Sequence, residues 1–189
     1  MPSLKRRIVA FCSLLTLGGL LAGFCALPLS ISFLRQHREM FKRVRAGMIG
    51  ARFVSDKGVV LQSRGNDCGA ASLKMILEAR GIEYSMPDLV SELRLTPRGT
   101  SMLNLRLVAG KLGAPAKAWA IKPRDLRRIP LPAIAFVNQD HFIVIRRMVA
   151  PDVLEVDDPA LGKLQWPMRA FQRAWSGETL VFDPTWTPL

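Results

Sequence analysis

Apolar and polar positions change rhythm along this chain. Between Ile8 and Leu34 no charged residue occurs, so the stretch is apolar on every side. From Cys68 onward the period becomes helical. Leu73, Ile76 and Leu77 fall on one stripe, Asn66 or Asp67 can serve as N-cap, and Gly81 stands where a C-terminal stop is expected. Ser85-Met86-Pro87-Asp88 opens a second helix through Leu95, with Leu89, Val90 and Leu93 as its apolar face. Gly99-Thr100-Ser101 starts a third, with Leu103, Leu107, Val108 and Leu112 inward and Gly113 as its end. The period then falls to two. Short strand-type runs occupy residues 116–121, 133–137, 142–145, 153–156 and 179–182, each bounded by Pro, Gly, Asn or Asp. A last helical turn or two is expected over 168–175, closed by Gly177. Helices first and strands after predict an α+β domain whose helices pack on an antiparallel sheet.

The apolar run follows Lys5, Arg6 and Arg7, the layout of a secretory signal or an N-terminal anchor. Signal h-regions span about 7–15 residues. This run is longer, and about 20 residues suffice to cross a bilayer. The expected organisation is therefore a signal or transmembrane anchor over 1–34, a basic juxtamembrane segment over 35–54, and one domain over 55–189. Residues 36–52 read equally as a basic helix, with Phe41, Val44 and Met48 on one side, or as a solvated linker. A single-pass bacterial inner-membrane protein is expected, with secretion to the periplasm after cleavage as the alternative. The basic residues on either side of the run conflict over which side the domain faces.

Charge supports a membrane partner rather than a nucleic acid. Residues 1–54 hold nine Lys/Arg against Glu39 alone, whereas residues 55–189 hold 18 against 14 Asp/Glu. The excess flanks the apolar run, and no basic stripe interleaved with aromatics runs through the rest. Cys12 and Cys25 lie in the run, so Cys68 is the only thiol after it and His141 the only imidazole after His37. One Cys and one His are too few ligands for a metal centre, and no cofactor is expected. They suffice for thiol chemistry. Cys68 on a first helical turn sits in the positive end of the helix dipole, which favours the thiolate.

His141 opens the run His141-Phe142-Ile143-Val144-Ile145 and shares a strand face with Ile143 and Ile145. In the next strand Leu154, Val156 and Asp158 share a face while Asp157 points the other way. Asp158 is a candidate to orient an imidazole, and also an ordinary turn aspartate before Pro159. Asp157 is the fallback if the register differs.

Taken together these motifs resemble the bacteriocin-processing, double-glycine leader peptidase family, a papain-like cysteine peptidase group. The resemblance rests on Gln62 with Asp67-Cys68-Gly69, on His141 opening an apolar strand, and on Asp158-Pro159-Ala160-Leu161-Gly162. Gly99-Thr100-Ser101 and Phe171 to Gly177 look like family features too, so it covers roughly 55–185. It implies a papain-like fold and peptide-bond hydrolysis. Cys68 would be the nucleophile, His141 the base and then acid, Asp158 the group orienting the imidazole, and Gln62 an oxyanion donor. The implied substrate is a peptide or leader segment, cut after small residues such as Gly-Gly, of a protein handled by a secretion or export system. Many members are fused to an ABC transporter, whereas this chain has no phosphate loop and looks like a stand-alone, membrane-tethered member. Two other classes share these residues: a catalytically silent module that binds a leader, and another thiol acyl transferase on the same scaffold.

Overall fold

The computed structural model describes residues 36–189. The expected anchor over 1–34 lies outside them, and no helix among the described residues is long and apolar enough to cross a membrane. A helix (α1) covers residues 36–48. The compact unit that carries the candidate chemistry is Lys42–Leu189. It therefore begins before residue 55: Ala46, Ala51 and Phe53, in the stretch read as linker, are all buried. Lys42 pairs with Asp56 at 3.0 Å and lies over the Phe53 ring.

After α1 come β1 (Arg52–Ser55), α2 (Cys68–Ala79), α3 (Met86–Glu92) and α4 (Met102–Lys111). There follow β2 (Lys117–Ala120), a 3-10 turn (Pro123–Arg128), β3 (Ala133–Val137), β4 (His141–Ala150) and β5 (Val153–Asp158). The described chain closes with β6 (Gly162–Pro167), α5 (Met168–Ala174) and β7 (Trp175–Val181). Seven strands form one sheet in the order β1-β6-β5-β4-β3-β7-β2, and every pairing is antiparallel. This is the α+β architecture that the order of periodicities predicts.

Period-two alternation sends neighbouring residues to two separate cores. Ala133, Ala135, Ile143, Ile145, Leu154 and Val156 face the side where Trp166, Phe171 and Trp175 stack edge to face or tilted. Ile134, Phe142, Val144 and Leu180 face α2, α3 and α4. At about 25 cal/mol per Å² of apolar surface, burial on both faces is what holds a chain without a disulfide between described residues.

Ser85 and Ser101 cap their helices, accepting from the N–H groups of Asp88 and Asn104. The third helix keeps part of the expected inward stripe, with Val108 buried and Leu112 packed against the same core. Leu105, Val108 and Ala109 are buried, while Leu103 and Leu107 are more than half exposed. Leu105 and Ala109 fit a helical period alongside Val108 as well as Leu103 and Leu107 do, and contact with α2 and β2 selects the first pair.

Candidate active site

Cys68 is the first residue of α2, whose buried Leu73, Ile76 and Leu77 seat the helix on the sheet. One turn further on, the buried Ser72 donates from Oγ to the Phe142 carbonyl at 3.2 Å. That bond fastens α2 to β4 next to His141. Gly69 has no room for a side chain, since a Cβ there would lie 2.6 Å from the Thr100 methyl. Glycine is thus what lets the Cys68 turn close on the 99–101 loop, and Asn66 fastens the same approach by donating to the Thr96 carbonyl at 2.8 Å.

Asp67 occupies the N-cap position but does not cap the helix with its side chain. Its buried carboxylate turns back, accepting from the Ser63 N–H and hydroxyl and from the Arg64 N–H at 2.8–3.2 Å. The first N–H groups of α2 are therefore left without a capping side chain, at the end where backbone dipoles attract negative charge.

His141 begins β4 after a turn in which Asn138 and Gln139 take left-handed backbone (φ 54° and 63°). Its Nε2 lies 2.9 Å from Asp158 Oδ1. Cys68 lies close enough to the imidazole for each to shift the other's proton affinity. Asp158 Oδ1 also accepts from the N–H groups of Ala160 (2.7 Å) and Leu161 (3.1 Å). Asp158 thus closes the turn after Pro159 with the same oxygen that meets the imidazole. Asp157 points to the other face, where it is buried against Arg146 Nε, so the expected register stands.

Electrostatics favour an ion pair. Burial alone would raise the Cys68 thiol, but the hydrogen bond with His141, the Phe142 N–H, the imidazolium charge and the Gly69 N–H bring it below its ordinary value. Burial likewise lowers His141, yet hydrogen bonds to Asp158 and Cys68, with their negative charges, raise it to about 10. Both shifts run toward a thiolate beside an imidazolium.

Gln62 reaches the same place by a different route. Its N–H donates to the Pro159 carbonyl at 2.8 Å, joining the Cys68 loop to the Asp158 turn. Its side-chain Nε2 donates to the Arg64 carbonyl at 3.0 Å, and Oε1 is buried without a partner. The amide has a second N–H to offer. Gln62, Gly65, His141, Asp158 and Leu161 line a cleft of about 390 Å³. Sequence reasoning missed Asp67 and Ser72 as supports. Ser72, a polar residue four positions after Cys68 on an apolar face, was the available signal.

Comparison with known proteins shows the family of the chain. The model of the Peptidase C39 family matches residues 56–187. The lactococcin-G-processing and transport ATP-binding protein LagD of Lactococcus lactis subsp. lactis is 31% identical over 134 residues, 68% of this chain and 19% of that protein. The probable functional amyloid protease FapD of Pseudomonas aeruginosa is 28% identical over 135 residues, covering 63% of this chain and 57% of that one. Among solved structures, a double glycine motif protease from an AMS/PCAT transporter, crystallised with its leader peptide, superposes with a TM-score of 0.63 at 29% identity. That match covers 67% of this chain and 91% of the other. The chain belongs to the Peptidase C39 family and is a cysteine peptidase.

Proposed function

We propose that this protein is an endopeptidase that removes a leader or other segment from an exported protein, cutting after small residues such as Gly-Gly. The observation that carries the reading is His141 held by Asp158 at 2.9 Å at the edge of a cleft that Gln62 also lines, with Cys68 on the adjoining first turn of α2. The Cys68 thiolate attacks the scissile carbonyl, forming a C–S bond. The imidazolium passes its proton to the leaving amine as the C–N bond breaks, and water activated by the neutral imidazole then hydrolyses the thioester. Asp158 holds the ring orientation and balances the imidazolium. The oxyanion is received by the second N–H of Gln62 and the Cys68 backbone N–H, which no capping side chain occupies.

Cys68 is only 6% exposed, so a backbone without bulky side chains reaches it best. That is the physical basis for small residues before the cut. A substrate from an export system is supported by the processing and transport role in LagD's description and the amyloid-protease description of FapD. Anchorage in a bacterial inner membrane by the apolar run belongs to the same proposal.

The test is cleavage of Gly-Gly-containing leader peptides, with products weighed by mass spectrometry. Cys68→Ala is expected to abolish cleavage and leave the thermal transition in place. Gln62→Ala is expected to lower kcat by about 10²–10³ with KM little changed. A transfer adduct in place of hydrolysed peptide, or turnover surviving Cys68→Ala, overturns the reading.

A further inference from the structure

Asp67 is a buried charge beside the nucleophile that stands outside the Cys68, His141 and Asp158 set. It is 1% exposed. Its carboxylate meets neutral donors, the Ser63 N–H (3.2 Å) and hydroxyl (2.8 Å) and the Arg64 N–H (3.1 and 3.2 Å to the two oxygens). Burying a charge is costly unless such bonds compensate it. Capping α2 does not explain the charge, since the side chain makes no cap bond. What the carboxylate holds is the loop before the helix.

The two ends of residue 64 link this carboxylate to Gln62. The Arg64 N–H is shared between both Asp67 oxygens, and the Arg64 carbonyl accepts from Gln62 Nε2 at 3.0 Å. That carbonyl decides which end of the amide is nitrogen, because the amide oxygen in its place would face another acceptor. A second tether fixes the main chain, where the Gln62 N–H donates to the Pro159 carbonyl at 2.8 Å. The side chain so held lines the cleft with His141 and Asp158. Helix α2 is seated separately, by Ser72 on β4 and by its buried Leu73, Ile76 and Leu77. Loosening residues 63–64 therefore releases the Gln62 amide and leaves the nucleophile's helix in place.

We infer that Asp67 is a positioning residue for the oxyanion donor: its carboxylate sets the Ser63–Arg64 backbone and, through the Arg64 carbonyl, aims the Gln62 amide. This rests on the proposed endopeptidase activity with Gln62 as donor. The test uses the full chain, fluorogenic peptides with Gly-Gly before the cut, and the variants Asp67→Asn, Ser63→Ala and Gln62→Ala, singly and with Gln62→Ala added to each of the others. Asp67→Asn keeps the volume but turns an NH2 group toward donors. It is expected to lower kcat by about 10- to 100-fold, as for a group misplaced by about 1 Å, with KM within about twofold. Ser63→Ala removes one donor to the carboxylate and should lower kcat by about two- to tenfold. Each double variant should be as slow as Gln62→Ala alone, within about twofold, because the loss acts through the same amide. The pH profile of Cys68 alkylation should stay where it is in both single variants, which a change in the thiolate would not allow. Unchanged kcat, losses that multiply in the double variants, or a moved alkylation profile overturns the relay and leaves the peptidase reading standing. Should Asp67→Asn fail to fold, Ser63→Ala and its double variant decide alone. Failure of wild type to cut the peptides overturns both.

Discussion

At the scale of single residues, the chemistry depends on two groups each moving the other's proton affinity. His141 is raised from 6.5 to about 10 and Cys68 is lowered. A base whose folded value is raised contributes stability that is fully present below its unfolded value and is lost as pH rises through the folded one. The His141 contribution is thus complete below about 6.5 and fades on approach to pH 10. The Cys68 contribution has the opposite sense: it is present above the ordinary thiol value and lost as pH falls through its lowered one. Both describe one ion pair, so they are not added. Alkylation of Cys68 is expected to stay fast well below pH 8.5, and His141→Ala should slow it at pH 7 by about 10–30-fold, as only a few per cent of an ordinary thiol is ionised there. Coincident pH profiles in wild type and mutant would remove the ion pair. The cast of this pair was legible early, because a single Cys and a single His remain after residue 54. The direction of the Asp67 carboxylate was not. An aspartate before a helix normally caps it, and only the position of the 63–64 backbone reveals that this one turns the other way.

At the scale of elements, the site is a meeting of three connections: the loop before α2, the start of β4 and the turn from β5 to β6. The last is the most constrained. Gly162 takes φ +106° against the Ser55 carbonyl, so Gly162→Ala meets both backbone strain and overlap. It is expected to lower stability by about 2–4 kcal/mol and to slow cleavage through the displaced Asp158; an unchanged denaturation midpoint would refute this. Helices α2 to α4 and strands β3 to β5 follow from local periodicity, which is why the site's carriers could be read from the chain. β6 could not be, although Leu164 and Trp166 alternate with Lys163 and Gln165, because the run is short and bracketed by Gly162 and Pro167. Trp175 begins β7 instead of ending a helix, since its strand pairing with Val137 outweighs the helical pattern before it. The inward face of α4 illustrates the same limit: Val108 follows the expected stripe, while the neighbours take Leu105 and Ala109 in place of Leu103 and Leu107.

At the scale of the whole molecule, β1 is the element least visible from sequence, because what makes it a strand is a partner far away. Arg52 and Gln165 are 113 residues apart and joined side chain to side chain as well as by register. Nothing near residue 52 announces this. Phe53→Ala, which empties the contact of β1 with Gly162 and the core, is expected to cost about 3 kcal/mol. Contacts that close so long a loop form late, so most of that loss should appear as unfolding faster by about a hundredfold, with refolding little slowed. A refolding rate that falls by the same factor would place β1 in the folding nucleus instead. The order of synthesis sharpens the point. At about 5–20 residues per second, roughly 6–23 seconds separate the emergence of Arg52 from that of Gln165. On that expectation the strand made first is seated last, and until then the β6 edge beside the Asp158 turn stands unpaired. A nascent chain therefore holds its nucleophile well before it holds a finished place for a substrate.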